Sequence, residues 1–267
     1  MTNIDILEAN KLRAITGVGI MSCKKSLDES NGDFNKAIEI LRKSGEKINA
    51  NCSYNEFSEG VAVAVINNSK TEGVAITLKC ENNYTSKNQI FISLATEFAN
   101  IGFKFDNKED LIKEVNEKII KQSAIFDEKI EIGHFEKLKG NFIGSYIHTG
   151  NKIAVLTAIS NNIKGVEEVA KNVAMQCASM NPIALNENSI DTNIVAKEIE
   201  IIKCILEKEK KPEVIIDKII KGKFAHFVKE NTLLNQNYIK DNKLTIESYV
   251  KSIDRNLTIT GFKRVCL

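Results

Sequence analysis

The run Ile153–Ile159 is almost wholly apolar, and shortly after it Val166, Val169, Ala170, Val173, Ala174 and Cys177 fall at i, i+3, i+4, i+7, i+8 and i+11. A continuous apolar run of this length reads as a buried strand, because a strand with one wet face would alternate. The second pattern has the period of a helix with one buried stripe. A fold that satisfies both places sheet and helix around common cores, and the remaining segments fit that requirement.

At the N-terminal end the periods are purely helical. A helix is expected over residues 4–14, broken by Thr16-Gly17-Val18-Gly19, since glycines favour the positive φ of tight connections. Ile20, Cys23 and Leu27 share one face of a second helix; Asn31-Gly32 closes it, and Asp33 is the candidate N-cap of a third carrying Phe34, Ala37, Ile38 and Leu41. So small a three-helix core is expected to be marginal alone. Residues 46–58 lack a period and read as a linker. Val61, Val63 and Val65 alternate with alanines and residues 73–78 are β-rich, which predicts a hairpin around residues 67–73.

Helical faces follow at Leu94, Phe98 and Ile101 and at Leu111, Val115, Ile119 and Ile120, with strands across residues 130–160. Pro182 ends the strongly periodic helix. Val195, Ile199, Ile202 and Leu206 mark one further stripe and Ile216, Ile220 and Phe227 another, joined through Lys210-Lys211-Pro212 with Pro212 at the first helical position. So short a connection predicts an antiparallel helical hairpin. A strand near Tyr238 and Ile239, a helix over residues 246–253 and a strand over residues 257–265 complete an α+β chain.

Charge and motifs bound the function. The 267 residues carry 37 basic and 35 acidic side chains, a net charge of +2, with no Trp. That balance gives no general pull toward nucleic acid or an anionic membrane, and the lysines of residues 208–211 read as solvated helix ends. The cysteines at 23, 52, 80, 177, 204 and 266 lack CxxC spacing and a nearby His, so neither a zinc site nor a disulfide framework is expected. The polar start is not a signal peptide, and no apolar run approaches the ~20 residues of a membrane span; a cytoplasmic location is the expectation. His134, His148 and His226 lie far apart, and no GxSxG or HExxH occurs. Gly17-Val18-Gly19 fails as a phosphate loop, because Cys23 precedes Lys24-Lys25-Ser26 where a Walker loop needs Gly, and Ser22 takes the third glycine place of GxGxxG. No catalytic group, metal site or cofactor is expected.

Residues 12–27, LRAITGVGIMSCKKSL, continue with Asn31-Gly32-Asp33, Ala37-Ile38 and Leu41-Arg42-Lys43-Ser44-Gly45. This spacing resembles the opening signature of the bacterial elongation factor Ts family. Gly144-Ser145-Tyr146-Ile147-His148 before an apolar strand, Ala174-Met175-Gln176-Cys177-Ala178-Ser179-Met180-Asn181-Pro182, and Lys211-Pro212 through Gly222-Lys223 resemble later segments of the same family, in the same order.

The resemblance implies a ubiquitin-associated-like three-helix domain over residues 1–45, the linker 46–58, and a core of two α+β subdomains, 59–139 and 140–267, with the helical hairpin 191–229 inserted in the second. It implies a non-enzymatic guanine nucleotide exchange factor for protein biosynthesis, one that binds elongation factor Tu in its GDP-bound and nucleotide-free states and promotes GDP release by disturbing the partner's Mg²⁺ and phosphate site. No direct nucleic-acid or membrane contact is implied; a homodimer through the hairpin is compatible with it.

The family's intruding helix start, TDFVAK, matches Asn82-Asn83-Tyr84-Thr85-Ser86-Lys87, with only Lys87 identical. Asn83 stands where the family has an acid, and Tyr84 keeps the aromatic wedge while adding a hydroxyl. Tyr84 is therefore expected to be the intruding group, with shape mattering more than charge; the plainer alternative is that Asn82 merely caps a helix. Arg13, Ile20, Met21 and Lys24 match positions that meet the partner's nucleotide-binding domain, although Ile20 also fits the core stripe. His148, with Gly150 after it, matches a position facing another partner domain. The family usually continues past its last strand into a short tail, whereas Leu267 closely follows Gly261-Phe262-Lys263-Arg264; the complex is expected to form without that tail. The competing reading is a binding or stabilising partner of elongation factor Tu with little exchange activity, motivated by the altered Asn83-Tyr84 pair.

Overall fold

The computed structural model describes residues 6–48, 59–209 and 213–267. The expected start of the first helix at residues 4 and 5, most of the 46–58 linker, Cys52 and the placing of Pro212 lie outside the described residues. The elements in chain order begin with α1 (Ile6–Thr16), α2 (Ile20–Glu29), α3 (Phe34–Lys43), β1 (Gly60–Ile66), β2 (Glu72–Lys79), α4 (Asn83–Lys87) and α5 (Gln89–Gly102). They continue with α6 (Lys108–Phe126), β3 (Glu131–Lys139), β4 (Phe142–Ile147), β5 (Ile153–Ile159), α7 (Val166–Met180) and α8 (Thr192–Lys208). Last come α9 (Glu213–Asn231), β6 (Asn237–Tyr238), β7 (Asp241–Thr245), α10 (Ile246–Ile253) and β8 (Ile259–Cys266). The chain is α+β and divides into two compact units, Met1–Glu56 with Asn186–Thr232 and Phe57–Leu185 with Leu233–Leu267.

The second unit is built in layers. β1 and β2 form the expected hairpin, with Val63 opposite Ile76, and β3 joins β2 antiparallel. Successive strand side chains point to opposite faces. Val61, Val63, Val74, Ile76 and Leu78 therefore pack with Phe91, Leu94 and Phe98 of α5 and Leu111 and Val115 of α6. Ala62, Ala64 and Ala75 point the other way, onto Ile143, Ala154, Leu156, Ala158 and Val265. These belong to a second antiparallel sheet of order β4-β5-β8. The Val/Ala alternation of β1 is thus the mark of a strand buried on both faces: bulk toward the helices, small side chains toward the other sheet. A Cβ on Gly73 would lie 2.8 Å from Cδ2 of Leu156, so this layer closes over an absent side chain.

The far face of the second sheet is covered by α7, whose predicted stripe is buried with Phe142, Val155 and Ile159. β4 approaches α7 closely: a Cβ on Gly144 would stand 2.4 Å from Cβ of Ala170. Beside it the buried Thr157 hydroxyl donates to the Ala170 carbonyl at 3.0 Å. α7 ends with Asn181 in the left-handed conformation, its N–H reaching the Cys177 carbonyl, just before Pro182.

In the first unit α1, α2 and α3 enclose Ala9, Leu12, Val18, Cys23, Leu27, Ala37, Ile38 and Leu41. Asp33 caps α3 as expected, accepting from the Lys36 N–H at 3.0 Å. Polar ties to α8 supplement this small core. Arg42 donates to Glu198 at 2.6 Å with both side chains largely buried, Lys43 pairs with Glu200 and Glu39, and the Lys208 ammonium reaches the Lys43 carbonyl. Glu200, then Glu39, raise the Lys43 pKa above the ordinary lysine value.

Several elements differ from expectation. α1 runs on to Thr16, whose hydroxyl bonds back to the Leu12 carbonyl. Ile120 is 61% exposed on α6, because the stripe through Leu111 and Val115 already fills the core side. On α8 the fully buried residues are Ile201, Ile202 and Leu206, with Val195 and Ile199 only half-buried. β7 escapes a hydrophobic reading because its first three residues are polar and exposed.

Replacing Gly144 by Ala is expected to lower the unfolding free energy by about 1–3 kcal/mol, since β4 and α7 must separate to admit a methyl group. Gly222→Ala, in open space on α9, is expected to be neutral or to stabilise by up to about 1 kcal/mol. Urea unfolding midpoints of the two variants check the contrast.

Candidate functional site

α4 is a single turn held between two asparagine caps. Asn82 Oδ1 accepts from the Tyr84 and Thr85 amides at 2.9 and 3.0 Å, and Asn88 Oδ1 accepts from the Ile90 amide at 2.9 Å to start α5. A five-residue helix cannot sustain itself on its own hydrogen bonds, and here a carboxylate from another segment reinforces it. Glu128 Oε2 accepts from the Glu81 and Asn82 amides at 3.0 and 3.2 Å. Its Oε1 accepts from the Thr85 hydroxyl at 2.7 Å and from the Asn82 side-chain amide. Glu128 reaches this position because α6 stops at Asp127, a left-handed C-cap with φ 53°. Glu81 returns the bond by accepting from the Lys129 amide.

The predicted segment therefore splits into two sets. Thr85 and Ser86 are buried and face the braces, while Asn82, Asn83, Tyr84 and Lys87 are exposed. Tyr84 is 90% exposed, the most open of the large apolar side chains among the described residues. Behind the turn, burial, with the Glu128 charge adding to it, pushes the Cys80 thiol up to about 11.

Ser86 leads to the other predicted contact of this unit. Glu59 Oε2 accepts from the Ser86 hydroxyl at 3.3 Å and from the Lys152 ammonium at 2.8 Å. Lys152 lies beside the β4–β5 turn that carries His148 and Gly150, both exposed. In that turn Tyr146 Oη and His148 Nδ1 are 3.2 Å apart, and Gly150 takes φ +86°, a conformation costly for a residue with a Cβ. Glu59 thus brings the α4 segment and the His148 turn to one end of the unit. Neither Glu59 nor Glu128 carries a sequence signal, because each acts from across the fold.

In the other unit, Met21 is 77% exposed and Arg13 is exposed, while Lys24 is half-buried. Ile20 is half-buried against the three-helix cluster, so it belongs in part to the core.

A pocket of about 310 Å³ opens elsewhere, lined by residues that include Asn172, Tyr238, Lys240 and Tyr249. Its polar groups serve one another: Asn172 donates to the Tyr249 hydroxyl and accepts from Lys240, each at 2.8 Å. Among the described residues no group of three or more His, Cys, Asp or Glu side chains is arranged to hold a metal ion.

Tyr84 is thus an exposed aromatic carried on a braced turn of helix. The family model described as elongation factor TS matches residues 81–267. Elongation factor Ts of Flavobacterium psychrophilum is 53% identical over 273 residues, covering all of both chains. That of Christiangramia forsetii is 49% identical, again over all of both, and that of Amoebophilus asiaticus is 39% identical over 97% of this chain and 96% of its own. The chain belongs to the elongation factor Ts family.

The Glu59–Lys152 pair yields a pH prediction. Chiefly through the Lys152 hydrogen bond, the Glu59 carboxyl is held below its ordinary value of 4.5. A lowered folded pKa contributes stability above the unfolded value and loses it as pH falls through the folded value. Glu59→Gln is expected to cost up to about 1 kcal/mol near neutral pH, a partly exposed pair being worth no more. The gap from wild type should close at pH well below 4.5, read as urea midpoints across a pH series.

Proposed function

We propose that this chain does what its family is known for: it binds elongation factor Tu and accelerates GDP release during protein synthesis. The partner holds GDP through a phosphate loop and a Mg²⁺ ion that bridges and neutralises phosphate oxygens. A surface that displaces the ion leaves those oxygens poorly compensated. The chain then binds the nucleotide-free partner more tightly than the GDP-bound one, and by linkage nucleotide and factor weaken each other equally. A ten-thousandfold mutual weakening corresponds to about 5.5 kcal/mol. No covalent bond changes, so the factor is not an enzyme in the chemical sense.

The observation that carries the reading is the exposure of Tyr84 on a turn that neighbouring groups hold in place. Asn82, Asn83 and Lys87 flank it as contacts, and Thr85 supports the turn from beneath. His148 and Gly150 form a second contact on the same unit. Arg13, Met21, Lys24 and the outer edge of Ile20 form a third on α1 and α2. In this reading residues 1–45 are a ubiquitin-associated-like domain, joined by the linker 46–58 to the subdomains 59–139 and 140–267. Residues 191–229 are an antiparallel helical hairpin, in which the stacked Phe224 and Phe227 rings, 5.9 Å apart, tighten the base of α9. The hairpin is also the face for any homodimer. No described helix is long and apolar enough to cross a membrane, and the factor works in the cytoplasm beside its partner, without direct contact to nucleic acid.

A second reading has one observation in its favour. The exposed Asn83 is neutral where the family has an acid, so the chain would hold and stabilise elongation factor Tu with little exchange. Stopped-flow release of a fluorescent GDP analogue from the cognate partner separates the two, since both bind but only one accelerates. Under the exchange reading Tyr84→Ala slows release by about tenfold or more, the scale expected for a central aromatic contact, while Tyr84→Phe stays near wild type. Release by Tyr84→Ala as fast as wild type would count against a wedge at this position.

A further inference from the structure

Glu128 lies 46 residues from Asn82 in sequence, yet its carboxylate accepts from the Glu81 and Asn82 amides, the Asn82 side chain and the Thr85 hydroxyl. All these donors belong to the stretch that carries Tyr84. A short helix needs only a cap, and Asn82 already supplies one. Glu128 does something further. It fixes the backbone ahead of the cap, and by taking the Asn82 amide hydrogens it decides which way that side chain is turned, so that Oδ1 faces the helix amides. The Thr85 bond ties the same carboxylate to the buried side of the turn. Tyr84 is 90% exposed, so little packing sets its direction; that direction is inherited from the backbone of a helix five residues long.

We infer that Glu128 is a positioning residue for nucleotide release: it pre-orders α4 so that Tyr84 meets the partner without a separate ordering step. The inference rests on the exchange reading and adds a residue to it. Without Glu128 the single turn of α4 frays in the free factor, and ordering it again on contact is paid from the interaction with the partner. The effect falls on the rate of release rather than on the global fold.

The test is a double-mutant cycle on release of a fluorescent GDP analogue from elongation factor Tu, using the full chain, with unfolding midpoints measured beside it. Glu128→Ala is expected to slow factor-stimulated release by about tenfold, a misplacement effect of moderate size. Glu128→Gln keeps one acceptor oxygen and should fall between Ala and wild type; being nearly isosteric, it carries the cycle if the Ala variant does not fold. Because Glu128 acts through Tyr84, the double variant with Tyr84→Ala should release no more slowly than Tyr84→Ala alone. Undiminished release by Glu128→Ala, or strictly multiplying losses in the double variant, overturns the inference. Failure of the wild-type chain itself to accelerate release sinks the exchange reading and the inference with it, so the two failures are told apart.

Discussion

The layer between the two sheets, where alanines of β1 and β2 meet Ile143, Leu156 and Val265 as well as Ala154 and Ala158, organises the second unit. Ala62, Ala64 and Ala75 on one side and Ala154 and Ala158 on the other let two backbones approach as large residues would not. The approach is close enough for the Ala62 amide to bond the Asn151 carbonyl at 2.6 Å, joining β1 to the β4–β5 turn. Glu59, one residue before β1, is thereby delivered to Lys152. From there the chain of contacts runs through Ser86 into α4. The arrangement of two exposed segments at one end of the unit is therefore a product of core packing, settled by buried residues.

Segments whose apolar pattern had a single solution were legible in the sequence. The stripe on α7, the Val/Ala alternation of β1 and the apolar run of β5 each had one face or two that could only be buried, and the structure buries them. Asp33 and Asn82 were readable as caps because a cap is a local interaction between a side chain and amides two or three residues on. What stayed hidden was non-local or polar. β7 offers no apolar period, and α4 and α5 merge in a periodic reading because the Asn88 break leaves no Gly or Pro. Glu59 and Glu128 look like ordinary surface acids until the fold brings their donors to them. The same limit applies to Thr85, which a motif match groups with its exposed neighbours and which the structure turns inward.

The departures of the 82–87 segment from the family segment it resembles fall on both its exposed and its buried halves. Asn83 and Tyr84 face outward, so their exchange for other side chains leaves the brace untouched. Asn82 supplies the polar oxygen of the cap, and Thr85, where the family segment has Val, adds a hydroxyl that bonds Glu128. The framework of the turn and the surface it displays overlap at Asn82, which caps the helix while remaining exposed.

The ties between α3 and α8 carry a consequence in time. Arg42 and Glu198 are 156 residues apart, and a ribosome adding about 5–20 residues per second needs on the order of ten to thirty seconds to cover that distance. Throughout that interval α1, α2 and α3 are outside the exit tunnel without α8. Whatever order the nascent bundle has in that interval rests on its own apolar cluster, and the ties from Glu198 and Glu200 are added only after most of the chain has been made.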